Sequence, residues 1–130
     1  YRCISYISSK ATYYNTLVGE NCFIFENNII QPFTSIGDNC ILWSGNHIGH
    51  HTAIKDHCFI ASHVVISGNV TIGESSFLGV NCTISDNINI GKSNVIGSSA
   101  VIFKNTDDNS VYSPAETEKS KVPSNRLRGF

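Results

Sequence analysis

The sequence has no methionine, three prolines, one tryptophan and little charge. Charged residues make up 15% of its 130 residues, against roughly 25% in typical soluble domains. Nine Lys and Arg against ten Asp and Glu give a formal net charge of −1, and no basic block precedes the C-terminal tail. The electrostatic footprint of a nucleic-acid-binding protein is missing, so nucleic acid is not expected as a partner.

Long hydrophobic runs are also absent. The longest apolar runs are a few residues, far below the roughly 20 that a membrane-spanning helix needs. The N-terminus lacks the charged-then-apolar pattern of a secretory signal. These absences predict one soluble, cytoplasmic domain without a membrane partner. The chain begins at Tyr1 rather than Met, which indicates a trimmed chain or a fragment that lacks an N-terminal region.

The cysteines do not form a recognisable framework. There are five, an odd number, and none of them form a CxxC pair. This spacing argues against a disulfide framework and against a zinc knuckle. We therefore predict five reduced, buried thiols.

An aliphatic residue recurs at every sixth position. Ile or Val fills 13 of these 15 slots, which favours short strands, and a period of six fits neither a helix nor a coiled coil. The slots are Val18, Ile24, Ile30, Ile36, Leu42, Ile48, Ile54, Ile60, Ile66, Ile72, Leu78, Ile84, Ile90, Ile96 and Ile102.

Two further columns share this period. The position two residues before each slot carries no charge and no aromatic ring, as expected of side chains in a narrow interior. The position after each slot is glycine in seven of fifteen cases, which predicts corners that need backbone freedom. Each hexapeptide is thus predicted to be a short strand followed by a corner.

Three hexapeptides make an 18-residue triangular coil, and stacked coils pair their strands in parallel about 4.8 Å apart. Fifteen hexapeptides predict about five coils over residues 16–104. Residues 1–15 are then an N-terminal lead-in segment or linker, and residues 105–130 are a C-terminal cap and tail. Residues 18 apart lie above one another, so Cys22, Cys40 and Cys58 are predicted to form one interior column.

This pattern resembles the hexapeptide-repeat transferases, whose fold is an all-β, single-stranded, left-handed parallel β-helix. The left hand is implied by the resemblance, because the general rule for parallel crossovers gives the right hand. The segments HHTAIKD at 50–56, ISGNVTIG at 66–73, FLGVN at 77–81 and IGSSA at 96–100 are similar to those of bacterial acetyl-CoA-dependent sugar acetyltransferases. That group includes the sialic-acid O-acetyltransferase family and the nucleotide amino-sugar N-acetyltransferases.

The resemblance implies transfer of an acetyl group from acetyl-CoA to an amine or hydroxyl of a sugar. His50 matches the general-base position, and an imidazole titrates close to physiological pH. One coil later the same slot is Gly68, which is expected to leave a cleft beside the ring. Related sequences often have an acid after the base. Here it is His51, so another group orients the base or His51 shapes the acceptor pocket.

The resemblance also implies a homotrimer, with acetyl-CoA along the cleft between adjacent prisms. The residues implied to line it are Phe59, Gly68, Val80 and Ser98. Trp43 is expected at a subunit interface. The tail's Lys119, Lys121, Arg126 and Arg128 are expected either to meet the CoA phosphates or to be solvated.

Three alternatives remain at this point. His47 is a reserve base. A metal-dependent, carbonic-anhydrase-like enzyme is disfavoured, because His51, His57 and His63 are six residues apart and fall on different faces; no metal is predicted. A non-catalytic trimerisation module would need neither His50 nor a cleft.

Overall fold

The chain is a parallel β-helix made of two-residue strands. A computed structural model describes residues 1–129. The strands are β1 (Tyr6–Ile7), β2 (Thr12–Tyr13), β3 (Leu17–Val18), β4 (Phe23–Ile24), β5 (Ile29–Ile30), β6 (Ser35–Ile36), β7 (Ile41–Leu42), β8 (His47–Ile48), β9 (Ala53–Ile54), β10 (Phe59–Ile60), β11 (Val65–Ile66), β12 (Thr71–Ile72), β13 (Phe77–Leu78), β14 (Thr83–Ile84), β15 (Asn89–Ile90), β16 (Val95–Ile96), β17 (Val101–Ile102) and β18 (Val111–Tyr112).

Successive strands lie on three different sheets, which form the three faces of a prism. Face A contains β1, β4, β7, β10, β13, β16 and β18; face B contains β2, β5, β8, β11, β14 and β17; face C contains β3, β6, β9, β12 and β15. All pairs are parallel, and Phe59, for example, pairs with Ile41 and Phe77, each 18 residues away. The predicted fold class is confirmed, and the architecture is consistent with the left-handed hexapeptide-repeat helix.

The helix is longer than the fifteen hexapeptides. It has about six turns rather than five, because β1 and β2 precede residue 16 and β18 follows residue 104. Tyr6 pairs with Phe23, 17 residues on, so the first turn is one residue short and breaks the period. The boundaries at residues 16 and 104 remain a prediction about domains. Beyond β18 the tail is exposed and contains a 3₁₀ turn at Ser124–Arg126. No helix in residues 1–129 has the length and apolarity to cross a membrane.

The aliphatic slots and the small residues two positions earlier form the interior. From Ile24 onward the slots are at most 5% exposed. Cys22 donates its Sγ–H to the Gly37 carbonyl at 3.0 Å, and Ser76 donates its hydroxyl to the Gly91 carbonyl at 3.1 Å. A buried carbonyl without a partner is costly, so a small donor stacked beneath an inward-facing corner carbonyl stabilises the turn above.

The cysteine column is present. Cys22, Cys40 and Cys58 are free thiols with at most 1% exposure, whereas Cys3 is exposed. A hydrogen bond with the Cys58 thiol, together with burial, raises the pKa of Cys40. Burial raises the pKa of Cys82, in another interior column, to about 12. Cys40 and Cys82 therefore serve as protonated packing groups of the interior.

Glycine is required at a corner such as Gly49 for a different reason from the backbone freedom predicted from the sequence. Gly49 does not have a positive φ; its Cβ would instead lie 2.5 Å from the Ser67 carbonyl oxygen of the next turn. The left-handed backbone falls two residues later, at positions such as Asn39 (φ 56°) and His51 (φ 56°). Asn and His are the residue types that tolerate this region well. Close stacking, not backbone freedom, requires Gly49.

Candidate active site

The three corners of the prism separate the histidines. We call them the AB corner, the BC corner and the CA corner, after the faces that each joins. His51 lies at the BC corner, between β8 and β9; His57 lies at the CA corner, between β9 and β10; His63 lies at the AB corner, between β10 and β11. Each has a left-handed backbone, with φ between 56° and 60°. These three imidazoles therefore lie at three different edges of the prism, as their six-residue spacing predicts.

His50 is an exposed residue of the BC corner. Its backbone N–H donates to the Gln31 side-chain oxygen at 3.0 Å, and its carbonyl accepts the Asn69 N–H at 2.7 Å. These two bonds tie its backbone to the turns below and above. An imidazole at a rigid, open corner has the accessibility that a general base requires.

His51 contacts His50 directly. The two Nδ1 atoms are 3.1 Å apart, and the rings meet edge to face at 86°. The His51 ring also packs against Phe33, with ring centroids 5.1 Å apart. His51 has a left-handed backbone at this contact, which neither the aliphatic column nor the glycine column of the repeat indicates.

Gly68 lies one turn above His50 and has an ordinary negative-φ backbone. A Cβ there would lie 2.5 Å from Nε2 and 2.7 Å from Cε1 of His50. The imidazole therefore fills the space that the missing side chain leaves, and the cleft predicted between Gly68 and the ring is absent at this point. Gly68 is needed for the His50 ring to hold this position.

The other three candidate residues are elsewhere on the prism. Val80 and Ser98 follow face-A strands and lie exposed at the AB corner. Phe59 lies half-buried on face A, stacked on Phe77 with centroids 5.5 Å apart. Face B separates these residues from the corner that holds His50, His51 and Gly68. A single chain therefore brings His50, His51 and Gly68 together at one corner. The other three predicted site residues lie on the far side of face B.

The reserve base occupies a different kind of position. His47 lies half-buried on β8 of face B, paired in register with Ile29 and Val65. Within residues 1–129, no group of three or more His, Cys, Asp or Glu side chains is arranged to hold a metal ion.

Face A carries an aromatic surface that the hexapeptide pattern does not require. Phe25 stacks on Trp43 with centroids 4.7 Å apart, and Trp43 approaches Phe59 at 6.4 Å. Tyr6, Phe23, Trp43 and Phe77 are each 40–53% exposed. Contiguous exposed apolar patches are a common feature of protein contact surfaces.

Face C carries a groove of about 380 Å³, lined in part by Lys55, Asp56, Glu74 and Lys92. Lys92 pairs with Glu74 at 3.4 Å. None of the six candidate residues lies in it. The basic residues of the tail, Lys119 to Arg128, are all exposed.

Comparison with known proteins agrees with this architecture. Residues 15–50 and 33–68 match the family model described as bacterial transferase hexapeptide (six repeats). No curated protein sequence gives a significant match. The match over residues 15–68 confirms the predicted resemblance to hexapeptide-repeat transferases.

Solved acetyltransferases share the fold over most of the chain. A variant of perosamine N-acetyltransferase from Caulobacter crescentus, in complex with CoA and GDP-perosamine, has a TM-score of 0.84 at 21% identity, over 92% of this chain and 59% of that one. The acetyltransferase domain of PglB from Neisseria gonorrhoeae, solved in complex with acetyl coenzyme A, has a TM-score of 0.83 at 21% identity, over 89% and 58%. WeeI from Acinetobacter baumannii has a TM-score of 0.78 at 19% identity, over 81% and 52%.

At these identities the likeness establishes the fold. The present chain spans 52–59% of the length of these three proteins.

Proposed function

We propose that this chain is the β-helix of an acetyl-CoA-dependent acetyltransferase that acts on an amine or hydroxyl of a sugar, most simply a nucleotide-linked amino sugar. The observation that carries the proposal is the fold shared with proteins solved with CoA and GDP-perosamine. An exposed, rigidly held His50 at the BC corner supports it. The expected location is the cytoplasm, where both substrates are available.

His50 is the general base of the proposed reaction. The acceptor nitrogen or oxygen attacks the carbonyl carbon of acetyl-CoA while His50 Nε2 takes the proton that the acceptor loses. The carbon–sulfur bond then breaks, and the imidazolium returns this proton to the departing CoA thiolate. The enzyme forms no covalent intermediate, and His50 ends neutral.

The proposed acetyl-CoA site needs two copies of the chain. Phe59, Val80 and Ser98 lie on or beside face A, and His50 lies at the BC corner, so face B of one chain separates them. A second prism can bring its AB corner against the first copy's BC corner, and cyclic assembly of three prisms closes such a contact. The exposed aromatic side chains of face A, including Trp43, supply apolar surface for this homotrimer.

Kinetics of His50→Ala test the base. We expect the turnover number to fall by roughly 10²- to 10⁴-fold, with little change in the KM for acetyl-CoA or in the melting temperature, because His50 is exposed. His47→Ala is the matched control and should retain turnover. If His47→Ala loses turnover and His50→Ala retains it, the base is misassigned.

Subunit complementation tests the composite site. His50→Ala and Ser98→Trp should each be inactive as pure proteins. Coexpressed at equal amounts, they should recover on the order of one quarter of the sites, because each site draws one corner from each of two randomly assembled copies. Absence of recovery, with mixed assemblies present, contradicts a site shared between chains.

The runner-up is a non-catalytic trimerisation module, favoured by the aromatic face A. The two functions differ in ligand binding. Acetyl-CoA at 100 times its dissociation constant should stabilise an acetyltransferase by about 2.7 kcal/mol. A bare assembly module would show no shift of its melting temperature.

A further inference from the structure

The contact between His50 and His51 limits which ring nitrogens can carry a proton. An Nδ1···Nδ1 distance of 3.1 Å is that of a hydrogen bond, which requires a proton on one of the two nitrogens and a lone pair on the other. Two neutral imidazoles meet this condition in two ways. In one, His50 carries its proton on Nδ1 and has a free lone pair on Nε2; in the other, His50 carries it on Nε2 and cannot act there as a base.

Contacts with neighbouring residues hold both rings in place. The backbone N–H of His51 donates to the Pro32 carbonyl at 3.2 Å, and the His51 ring packs against Phe33. His50 is held through Gln31 and has Gly68 beside Nε2. In residues 1–129 neither ring takes part in an ion pair, and no side chain hydrogen-bonds to His50 Nε2. Among the described residues, Nε2 is therefore the His50 ring nitrogen without a side-chain hydrogen bond, and it is the one that we expect to meet a substrate.

We propose that His51 is a positioning residue whose Nδ1 accepts the Nδ1–H of His50 and thereby keeps His50 in the tautomer with a lone pair on Nε2. The hydrogen bond that one ring nitrogen makes determines the protonation of the other. This inference rests on the proposed function for its catalytic consequence, but the tautomer itself is a property of the protein without substrate.

The same contact stabilises the protonated base. When His50 Nε2 takes the acceptor's proton, the imidazolium still donates from Nδ1 to the neutral His51. That hydrogen bond becomes charge-assisted and therefore stronger. His51 thus does the work of an orienting acceptor without carrying a negative charge.

Two substitutions of His51 distinguish a role in positioning His50 from a role in packing. His51 has φ 56°, so His51→Gly removes the acceptor at a backbone conformation that glycine adopts freely. His51→Asn also suits this conformation, as at Asn69 (φ 57°) one turn above, and it retains a side-chain oxygen that can accept the bond. His57→Gly makes the same change at another corner (φ 60°) and is the matched control.

The test is nitrogen-15 NMR of the imidazoles in the full chain without substrate, combined with kinetics. We expect the Nδ1–H tautomer of His50 in wild type, His51→Asn and His57→Gly, and predominantly the Nε2–H tautomer in His51→Gly. The kcat of His51→Gly should fall by about tenfold with KM for acetyl-CoA unchanged. This loss is smaller than the roughly 10²- to 10⁴-fold effect of removing a general base, because the competent tautomer remains as a minor form.

The outcomes separate the two proposals. A wild-type His50 in the Nε2–H form, or one whose tautomer is the same in His51→Gly, overturns the positioning role whatever the kinetics show. The expected tautomers in a protein that transfers no acetyl group support the positioning role and overturn the proposed function. Failure of His51→Asn to restore both the tautomer and kcat contradicts the role of an acceptor.

Discussion

Gly49 and Gly68 lie in adjacent turns and are crowded by different kinds of atom: backbone atoms at Gly49 and a side chain at Gly68. A Cβ at Gly49 would lie 2.5 Å from the Ser67 carbonyl oxygen and 2.6 Å from the Gly68 nitrogen. The three atoms nearest to a Cβ at Gly68 all belong to the His50 imidazole. Backbone atoms of a stacked turn cannot move without opening the strand ladder, whereas an exposed imidazole can rotate away.

The two Gly→Ala variants should therefore differ in stability. Overpacking against the backbone should lower the free energy of unfolding of Gly49→Ala by about 1–3 kcal/mol. Gly68→Ala should stay within about 0.5 kcal/mol of wild type, because its cost falls on an exposed side chain. It should nevertheless impair acetyl transfer, because the His50 ring must leave its place.

Urea unfolding of both variants, and of Gly68→Ala in a His50→Ala background, measures these effects. Without the imidazole, the new methyl group has space and restricts the unfolded chain, so Gly68→Ala should stabilise that background by about 0.4–1 kcal/mol. Equal losses in the two single variants would contradict this difference between a backbone clash and a side-chain clash. So would a cost at Gly68 that is the same with and without His50.

Three further predictions concern the core and the assembly. A thiol reagent should label Cys3 rapidly in the native protein and leave Cys22, Cys40 and Cys58 protected; rapid labelling of these three would contradict the interior column. Because burial raises the pKa of Cys82 to about 12 and an unfolded thiol ionises near pH 8.5, the unfolded state binds fewer protons between these values. Stability should therefore fall as pH rises from about 9 to 12, by up to about 1.4 kcal/mol per unit for this thiol, and Cys82→Ala should show a shallower loss in urea titrations. Light scattering at micromolar concentration should report three copies, and a single 14.2 kDa chain would contradict the homotrimer.

The periodic part of the fold could be predicted because each hexapeptide repeats the same physical requirements. An aliphatic residue fills the interior, and a small donor two positions earlier satisfies a corner carbonyl, as Cys22 does for Gly37. The ends could not be predicted in this way. The first turn is one residue short, so Ile7 and Tyr13 fall outside the period even though both belong to paired strands.

The corner geometry is encoded in a third column of the repeat, separate from the aliphatic and glycine positions. Three residues after each aliphatic slot the sequence has Asn, His or Ser at most positions, and this is where φ is positive. Asn and His at a fixed place in the repeat indicate left-handed backbone, which distinguishes this column from the glycines two residues earlier. The same column places His51 at a bend beside His50.

The candidate site was only partly predictable, because the proposed acetyl-CoA site draws on residues of more than one chain. The position of His50 next to Gly68 follows from the 18-residue stacking. The separation of Val80 and Ser98 from His50 follows from the same stacking once each residue is assigned to a corner. Residue spacing describes one prism, and it contains no information about how a second prism meets the first.

The central claim is acetyl transfer from acetyl-CoA to a sugar. Mass spectrometry of products from acetyl-CoA and a panel of nucleotide-linked amino sugars tests it most directly, with the wild-type protein and His50→Ala assayed side by side. We expect a sugar product heavier by one acetyl group, formed with release of an equal amount of CoA, and strongly reduced with His50→Ala. A panel in which no acceptor is acetylated would contradict acetyl transfer, and product formed by His50→Ala at the wild-type rate would contradict its role as the base.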